Sequence, residues 1–196
     1  MPQKRSEKSH QAILKAAIEL VKDEGYAGTT IEGIASRAGV GKQTIYRWWP
    51  SKAAVIMEAF QHSAAEKVPV PDTGDTRADL QLFARKLCCV LSKPVTCHTT
   101  AGLIAAAQED QMLAKEFRKM FIKTRRSAVE GILQRGVARG ELLGEADFSL
   151  TLDLFFGPIW YRVLMGHAPL EDKFADALVA AVMSTIAAPS VSTAMA

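Results

Sequence analysis

No apolar run in this chain reaches the ~20 residues needed to span a bilayer. The most apolar stretch, Leu150–Met165, is broken by Asp153 and Arg162. The opening MPQKRSEKSH is charged, and no apolar signal core follows it. Cysteine is scarce: Cys88, Cys89 and Cys97 make an odd number with no Cys-x-x-Cys, which argues against a disulfide framework. A soluble chain in a reducing cytoplasm, without membrane contact, is the expectation. Histidine is scarce too, and His10, His62, His98 and His167 are scattered. There is no glycine-rich phosphate loop and no nucleophile elbow, so the constellations that hydrolytic or transfer chemistry needs are missing. An enzyme is not expected, and no catalytic residue, resident metal or cofactor is called for.

Charge of one sign is nearly absent overall, at net +3. It is unevenly spread, however. Residues 1–52 carry nine Lys/Arg against five Asp/Glu, while the remainder carries fifteen against sixteen. The basic excess therefore sits in the first quarter, as a phosphate-facing module on a near-neutral body would have it. The apolar fraction of 48% is enough to bury a core without disulfides or metal.

Periodicity predicts helices nearly throughout, with no strand and no internal repeat. Ala12, Ile13, Ala16, Ala17, Leu20 and Val21 form one stripe of a helix from Ser9 to Glu24, with Gly25 as its left-handed cap. Thr29, with Glu32 three residues on, has capping-box spacing for a short second helix that faces inward through Ile31, Ile34, Ala35 and Ala38. Gly39 ends it. Val40-Gly41 is a tight link to a third helix over Lys42–Trp48, and Ser51 caps a fourth that runs to about Glu66. The prolines and glycine of residues 68–75 make a linker. Further helices are predicted near Thr76–Leu91, Thr96–Gln108, Gln111–Arg139, Phe148–Gly166 and Leu170–Ala187, with a turn bracketed by Gly140 and Gly144 and a loose tail over Pro189–Ala196.

A long helix followed by two short ones across Gly39-Val40-Gly41 is the arrangement that sets a recognition helix into a major groove. Ile34, Ala35, Val40 and Ile45 supply the inner wedge. Lys42, Gln43 and Thr44 then project from the first turn of the third helix as donors suited to base edges. Arg47, one turn on, is either a phosphate or base contact or a solvated charge.

The run from Thr30 to Lys52, TIEGIASRAGVGKQTIYRWWPSK, resembles the signature of the TetR (tetracycline-repressor-like) family, and the match extends over residues 10–55. The stretch FFGPIWYRVL over residues 155–164 is similar to that family's regulatory domain. The resemblance implies an all-α fold: an N-terminal three-helix helix-turn-helix domain, residues 1–52, plus a larger C-terminal helical bundle, residues 53–196, used for ligand binding and dimerisation. The fourth helix connects the two from about residue 51. It further implies that Tyr46 and Lys52 reach phosphates, that Thr29 or Thr30 contacts the DNA backbone, and that Lys42, Gln43 and Thr44 read bases. Trp49 packs inward as the aromatic anchor, and Trp48 stacks on sugar-phosphate. Trp48-Trp49, Gly41 and Ala53 depart from the family's commoner residues.

The same resemblance implies a small-molecule effector pocket, for which His98, Gln108, Phe121, Trp160 and Tyr161 are the candidates. It also implies a homodimer through the last two helices, about 148–187, reading double-stranded DNA at a palindromic operator. For each pocket candidate a plain core or surface role stands beside the pocket reading. Arg125-Arg126 reads as a solvated face, and the three cysteines read as core thiols or a redox sensor. The functional expectation is a sequence-specific regulator, a repressor released by its effector. The alternatives are a thiol- or metal-responsive regulator of the same fold, or a helical dimeric binding protein without DNA activity.

Overall fold

A computed structural model describes residues 2–65, 68–144 and 147–188. The tail over Pro189–Ala196 and the end of the fourth helix at Glu66 lie outside the described residues. The elements are α1 (Pro2–Gly28), α2 (Ile31–Ala38), α3 (Lys42–Tyr46), α4 (Lys52–Ala65), α5 (Thr76–Leu91), α6 (Pro94–Glu109), α7 (Gln111–Glu116), a π-helical turn (Phe117–Ile122), α8 (Lys123–Ala138), α9 (Phe148–Met165) and α10 (Asp172–Ile186). Among the described residues, β pairing is confined to one antiparallel bridge, Leu142 with Ala187.

Packing divides the chain into two compact units, and the division is not sequential. Met1–Lys67 and Lys93–Thr124 form the first; Val68–Ser92 and Arg125–Ala196 form the second. The first thus takes α6, α7 and the π turn in with the N-terminal helices.

In that first unit α1 buries Ile13, Ala16, Ala17, Leu20 and Val21 of the predicted stripe, together with Leu14, which lies outside it, while Ala12 is half-buried. It does not stop at Gly25. That residue has φ 71° and ψ 175°, which kinks the helix, and helical structure resumes to Gly28. The positive φ suits glycine, but the extended ψ turns the chain where a cap would end it. The N-cap of α2 is Thr30, not Thr29: the Thr30 Oγ1 accepts from the Gly33 amide at 3.0 Å. Thr29 lies fully buried, and its hydroxyl donates to the Gly25 carbonyl at 2.7 Å. Gly39 closes α2 in the left-handed region, at φ 68° and ψ 34°.

Helix α4 is buried on most of its surface through Ala53, Ala54, Val55, Ile56, Met57, Ala59 and Phe60. It packs against α1 on one side and against α7 and the π turn on another. A helix apolar around most of its circumference needs neighbours on several sides, and here α4 has them. Phe60 meets Phe121 at 5.3 Å between ring centroids, and Phe117 meets Phe121 at 5.1 Å.

In the second unit α10 lies chiefly along α5, joining Leu178, Val179, Val182 and Met183 to Leu80, Phe83, Ala84 and Leu87. From α9, Phe155 reaches Phe83 with centroids 6.2 Å apart. The 141–143 segment is stitched to the end of α10: Leu143 N donates to the Ile186 carbonyl at 2.9 Å and Ala188 N to the Glu141 carbonyl at 3.0 Å.

Three further expectations need correction. The single helix Gln111–Arg139 is interrupted by the π turn, where one extra residue per turn brings Phe117 and Phe121 to the interior. The pair Arg125-Arg126 is not a solvated face. Burial pushes the Arg125 guanidinium down to about 10, and Arg126 is only partly exposed, paired with Asp153. Helix α6 also begins earlier than its apolar pattern suggests, at Pro94, because proline at the first helical position loses no hydrogen bond there.

Candidate nucleic-acid interface

Helix α3 is only five residues long and is held from beneath by Ile45, which is fully buried. With Ile45 turned inward, Lys42, Gln43, Tyr46 and Arg47 are exposed, and Thr44 is half-buried. No side chain caps the helix at Gly41. Its carbonyl nevertheless accepts from Thr44 N at 2.9 Å, and the Ile45 carbonyl accepts from Trp48 N and Trp49 N at 3.0 Å, so the turn stays closed.

The scaffold behind this face is specific. Trp49 is buried and donates its indole N–H to Glu58 Oε2 at 2.7 Å. The other oxygen of Glu58 sits 3.0 Å from His10 Nε2. The His10 ring stacks on Trp49 with centroids 4.9 Å apart and meets the edge of Trp48 at 5.3 Å. The two tryptophans therefore lock the end of α3 to α1 and α4. Trp49 is the inward anchor. Trp48 is half-buried against His10, which leaves only part of its ring to face a sugar-phosphate.

Charges on the face are arranged in pairs. Lys42 Nζ lies 2.8 Å from Glu32 Oε1, and both are exposed. The hydrogen bond from the ammonium holds Glu32 below its ordinary carboxylate value and raises Lys42 above its own. Arg37 is likewise paired with Asp23 at 2.8 Å. Lys52 is drawn inward: its ammonium donates to the Tyr26 carbonyl at 3.0 Å and lies 4.1 Å from the centre of the Tyr26 ring. Burial lowers its pKa, against the pull of the Asp110 charge.

Of the nine predicted DNA-contact residues, Trp48 is half-buried against His10 and the Lys52 ammonium is turned onto Tyr26; the other seven fall into three groups. Lys42, Gln43, Thr44, Tyr46 and Arg47 share the face of α3. Thr30 is exposed at the head of α2, with its hydroxyl oxygen already accepting a cap bond. Thr29 is sealed inside with its hydroxyl engaged, so of the two threonines only Thr30 faces outward. Sequence reasoning missed Tyr26, Glu58 and Asp110, and read Glu32 only as a capping-box residue, not as the partner of Lys42. Nothing in periodicity connects Glu32 with Lys42 across a turn, and Tyr26 and Asp110 are separated by 84 positions.

Of the effector candidates, three belong to the first unit and two to the second. His98 is exposed, with Nδ1 2.7 Å from the Pro94 carbonyl. It lines an open groove of about 630 Å³ with Val21, Lys22, Gly25, Val95 and Thr99. Gln108 is exposed and donates to the Ile104 carbonyl at 3.2 Å. Phe121 belongs to the Phe60–Phe117 core cluster. In the second unit Trp160 is half-buried, and Tyr161 is exposed with its ring 4.6 Å from that of His167. A second groove of about 640 Å³, lined by Leu143, Asp147, Leu150, Leu154, Thr185 and Ile186, contains none of the five. Among the described residues no three His, Cys, Asp or Glu converge as metal ligands. Cys88 is buried, and desolvation pushes its thiol up to about 11. Among the described residues no single helix is long and apolar enough to cross a membrane.

Comparison with known proteins accords with this geometry. Residues 13–59 match the family model described as bacterial regulatory proteins, tetR family. Residues 70–182 match the model described as tetracyclin repressor-like, C-terminal domain. The uncharacterized HTH-type transcriptional regulator YdeS of Bacillus subtilis (strain 168) is 39% identical over 192 residues, covering 97% of this chain and 96% of that protein. The crystal structure of the TetR family transcription regulator SCO0332 superposes with a TM-score of 0.78 at 32% identity, covering 91% of this chain and 98% of that one. The fold is also that of the transcriptional regulator FadR from Bacillus subtilis, solved in complex with stearoyl-CoA. There the TM-score is 0.71 at 21% identity, with 89% of this chain and 98% of that one covered. With an exposed recognition face on a buried wedge, both family models matched and a relative along nearly its whole length, the chain belongs to the TetR family and is a DNA-binding transcriptional regulator.

Proposed function

We propose that this regulator is a homodimeric repressor that leaves a palindromic operator when a small apolar or amphipathic effector binds. The observation that carries the DNA-contact assignment is the partition of α3: Ile45 fully buried beneath Lys42, Gln43, Tyr46 and Arg47, which are all exposed. A helix so divided can lie in a major groove about 12 Å wide without unfolding its support. Gln43 and Lys42 face the bases, while Tyr46, Thr30 and Arg47 meet phosphates and set register. Residues 1–52 act as the reader, α4 as the connection, and residues 53–196 as the effector and dimer domain. The protein acts in the cytoplasm, where its DNA is.

The dimer face is α9 and α10. Leu150, Leu154, Tyr161, Leu164 and Met165 are exposed along α9. Ala177, Ala180, Ala181 and Ser184 present small exposed side chains on α10. A two-fold axis through such a face pairs two recognition helices about one helical turn (~34 Å) apart. The stearoyl-CoA complex of the FadR neighbour favours an effector of amphipathic type. Its coupling to DNA, of order 1–3 kcal/mol, is reciprocal, so operator DNA weakens effector binding.

Selection of bound duplexes from a random library, followed by titration at several salt concentrations, tests the reading. Wild-type protein is expected to enrich a palindrome and to bind it with a steep salt dependence. Gln43→Ala changes preference at one base position. Lys52→Ala weakens binding to all duplexes alike. Affinities that ignore salt, with both variants unchanged, defeat it.

A further inference from the structure

One side chain beside the proposed interface holds two others that belong to distant parts of the sequence. The kink at Gly25 places Tyr26 in the interior, 9% exposed. Its hydroxyl donates to Asp110 Oδ2 at 2.6 Å. Its carbonyl accepts from Lys52 Nζ at 3.0 Å, and its ring lies under the same ammonium at 4.1 Å. Asp110 breaks the path between α6 and α7 at φ −108° and ψ 102°. Its Oδ1 accepts from Met112 N at 2.9 Å and Leu113 N at 3.0 Å, capping α7. One carboxylate oxygen thus starts α7 while the other fixes Tyr26.

We propose that Tyr26 is a positioning residue for DNA binding that ties the α6–α7 break, through Asp110, to Lys52 at the head of α4. This rests on the reading that the α2–α4 face meets DNA. Tyr26 cannot follow Asp110 without moving the surface on which the Lys52 ammonium rests, because the ring beneath the ammonium carries the hydroxyl and burial leaves the side chain little room to turn about the bonds that join it to its carbonyl. The hydroxyl remains a donor across the accessible pH range: burial, and then the bond to Asp110, raise it well above an ordinary phenol. Asp110 stays ionised for the converse reason, since the Tyr26 bond and the α7 amides lower it. The tie has a second point of attachment further along α4, where Phe60 meets Phe121 of the π turn that follows α7. A shift of α7 therefore moves α4 at its head and in its middle together. That is a direct route from the effector domain's sequence to the reader, lying wholly within one compact unit.

The variants that separate positioning from simple stability are Tyr26→Phe and Asp110→Ser. The first keeps the ring under Lys52 and removes only the hydroxyl. The second keeps a good helix cap but is too short to reach Tyr26. Amide exchange is measured on the full-length protein, and affinity on the duplex that wild-type protein selects. Both variants are expected to speed exchange at Ala54–Met57, while Asp110→Ser leaves residues 112–114 nearly unchanged. Each lowers DNA affinity about 3- to 10-fold. The double variant is no weaker than the weaker single, and Tyr26→Phe adds nothing in a Lys52→Gln background. Exchange changes confined to residues 111–114, or losses that multiply in full with Lys52→Gln, overturn the proposal. The exchange arm needs no DNA, so it decides the tie even if the selection enriches no duplex and the DNA-facing reading fails.

Discussion

At the residue scale, the recognition face carries its own electrostatic restraint. Glu32 sits on α2 with its carboxylate 2.8 Å from Lys42. An exposed pair of this kind adds little to stability, but it places a negative charge beside the first of the side chains proposed to read bases. A phosphate approaching Lys42 must displace or repel Glu32. Replacing Glu32 with Gln is expected to raise affinity for selected and random duplexes alike by several-fold and to narrow the ratio between them. It is also expected to steepen the salt dependence by about one phosphate equivalent, a slope change near 0.9. Titration over a range of salt concentrations reads both effects; a fall in affinity would assign Glu32 an attractive role instead. The face of α3 was legible from residue types, because Ile45 among Lys, Gln and Thr dictates which side turns inward. The partners Glu32 and Tyr26 were not. They meet Lys42 and Lys52 only after the chain has turned at Gly25 and Gly39.

At the element scale, two glycines on α8 make opposite predictions. A Cβ on Gly136 would overlap Thr76 Oγ1 and stand 3.0 Å from Leu142 side-chain atoms. Thr76 Oγ1 in turn accepts from Arg139 at 3.0 Å, so it has little room to yield. Gly136→Ala is expected to cost about 1–3 kcal/mol by overpacking. A Cβ on Gly131 meets nothing within 4 Å, and Gly131→Ala should stabilise by roughly 0.5–1 kcal/mol through helix propensity. Thermal unfolding of both variants checks the contrast. The same corner is pH-sensitive. Glu141 accepts from Arg139 at 2.6 Å and from Thr76 N at 2.8 Å, and these bonds, Arg139 first, hold its pKa down to about 2 from 4.5. A carboxylate depressed on folding contributes stability that is present above its unfolded value and lost as pH falls through the folded one. Between about 4.5 and 2, wild type loses this contribution and Glu141→Gln does not. Their unfolding midpoints therefore converge as acid is added. Parallel curves over that window would show that Glu141 does not act this way.

At the scale of the whole molecule, the proposed dimer makes DNA affinity depend on residues far along the chain from α3. Leu154, exposed on α9 and lining the second groove, is a suitable place to break it. Leu154→Asp buries a charge in a two-fold interface, which is strongly unfavourable without a partner. It is expected to shift the molar mass measured by light scattering from dimer to monomer. Operator affinity should fall by at least tenfold, with the helical content by circular dichroism unchanged. A variant that remains dimeric places the interface elsewhere.

Composition and local pattern alone determined that the chain is helical, that its basic excess lies in the first 52 residues, and that α2 and α3 form a helix-turn-helix. Those properties follow from apolar spacing and from glycines at tight turns, both local in sequence. Tertiary structure alone decided that Thr30 and not Thr29 caps α2, and that Arg125 is half-buried with its guanidinium desolvated. It also decided that α6, α7 and the π turn pack with the N-terminal helices. A hydroxyl's partner, a guanidinium's solvation and a helix's neighbours depend on which segments meet in space, and residues 84 positions apart carry no periodic signal that they will.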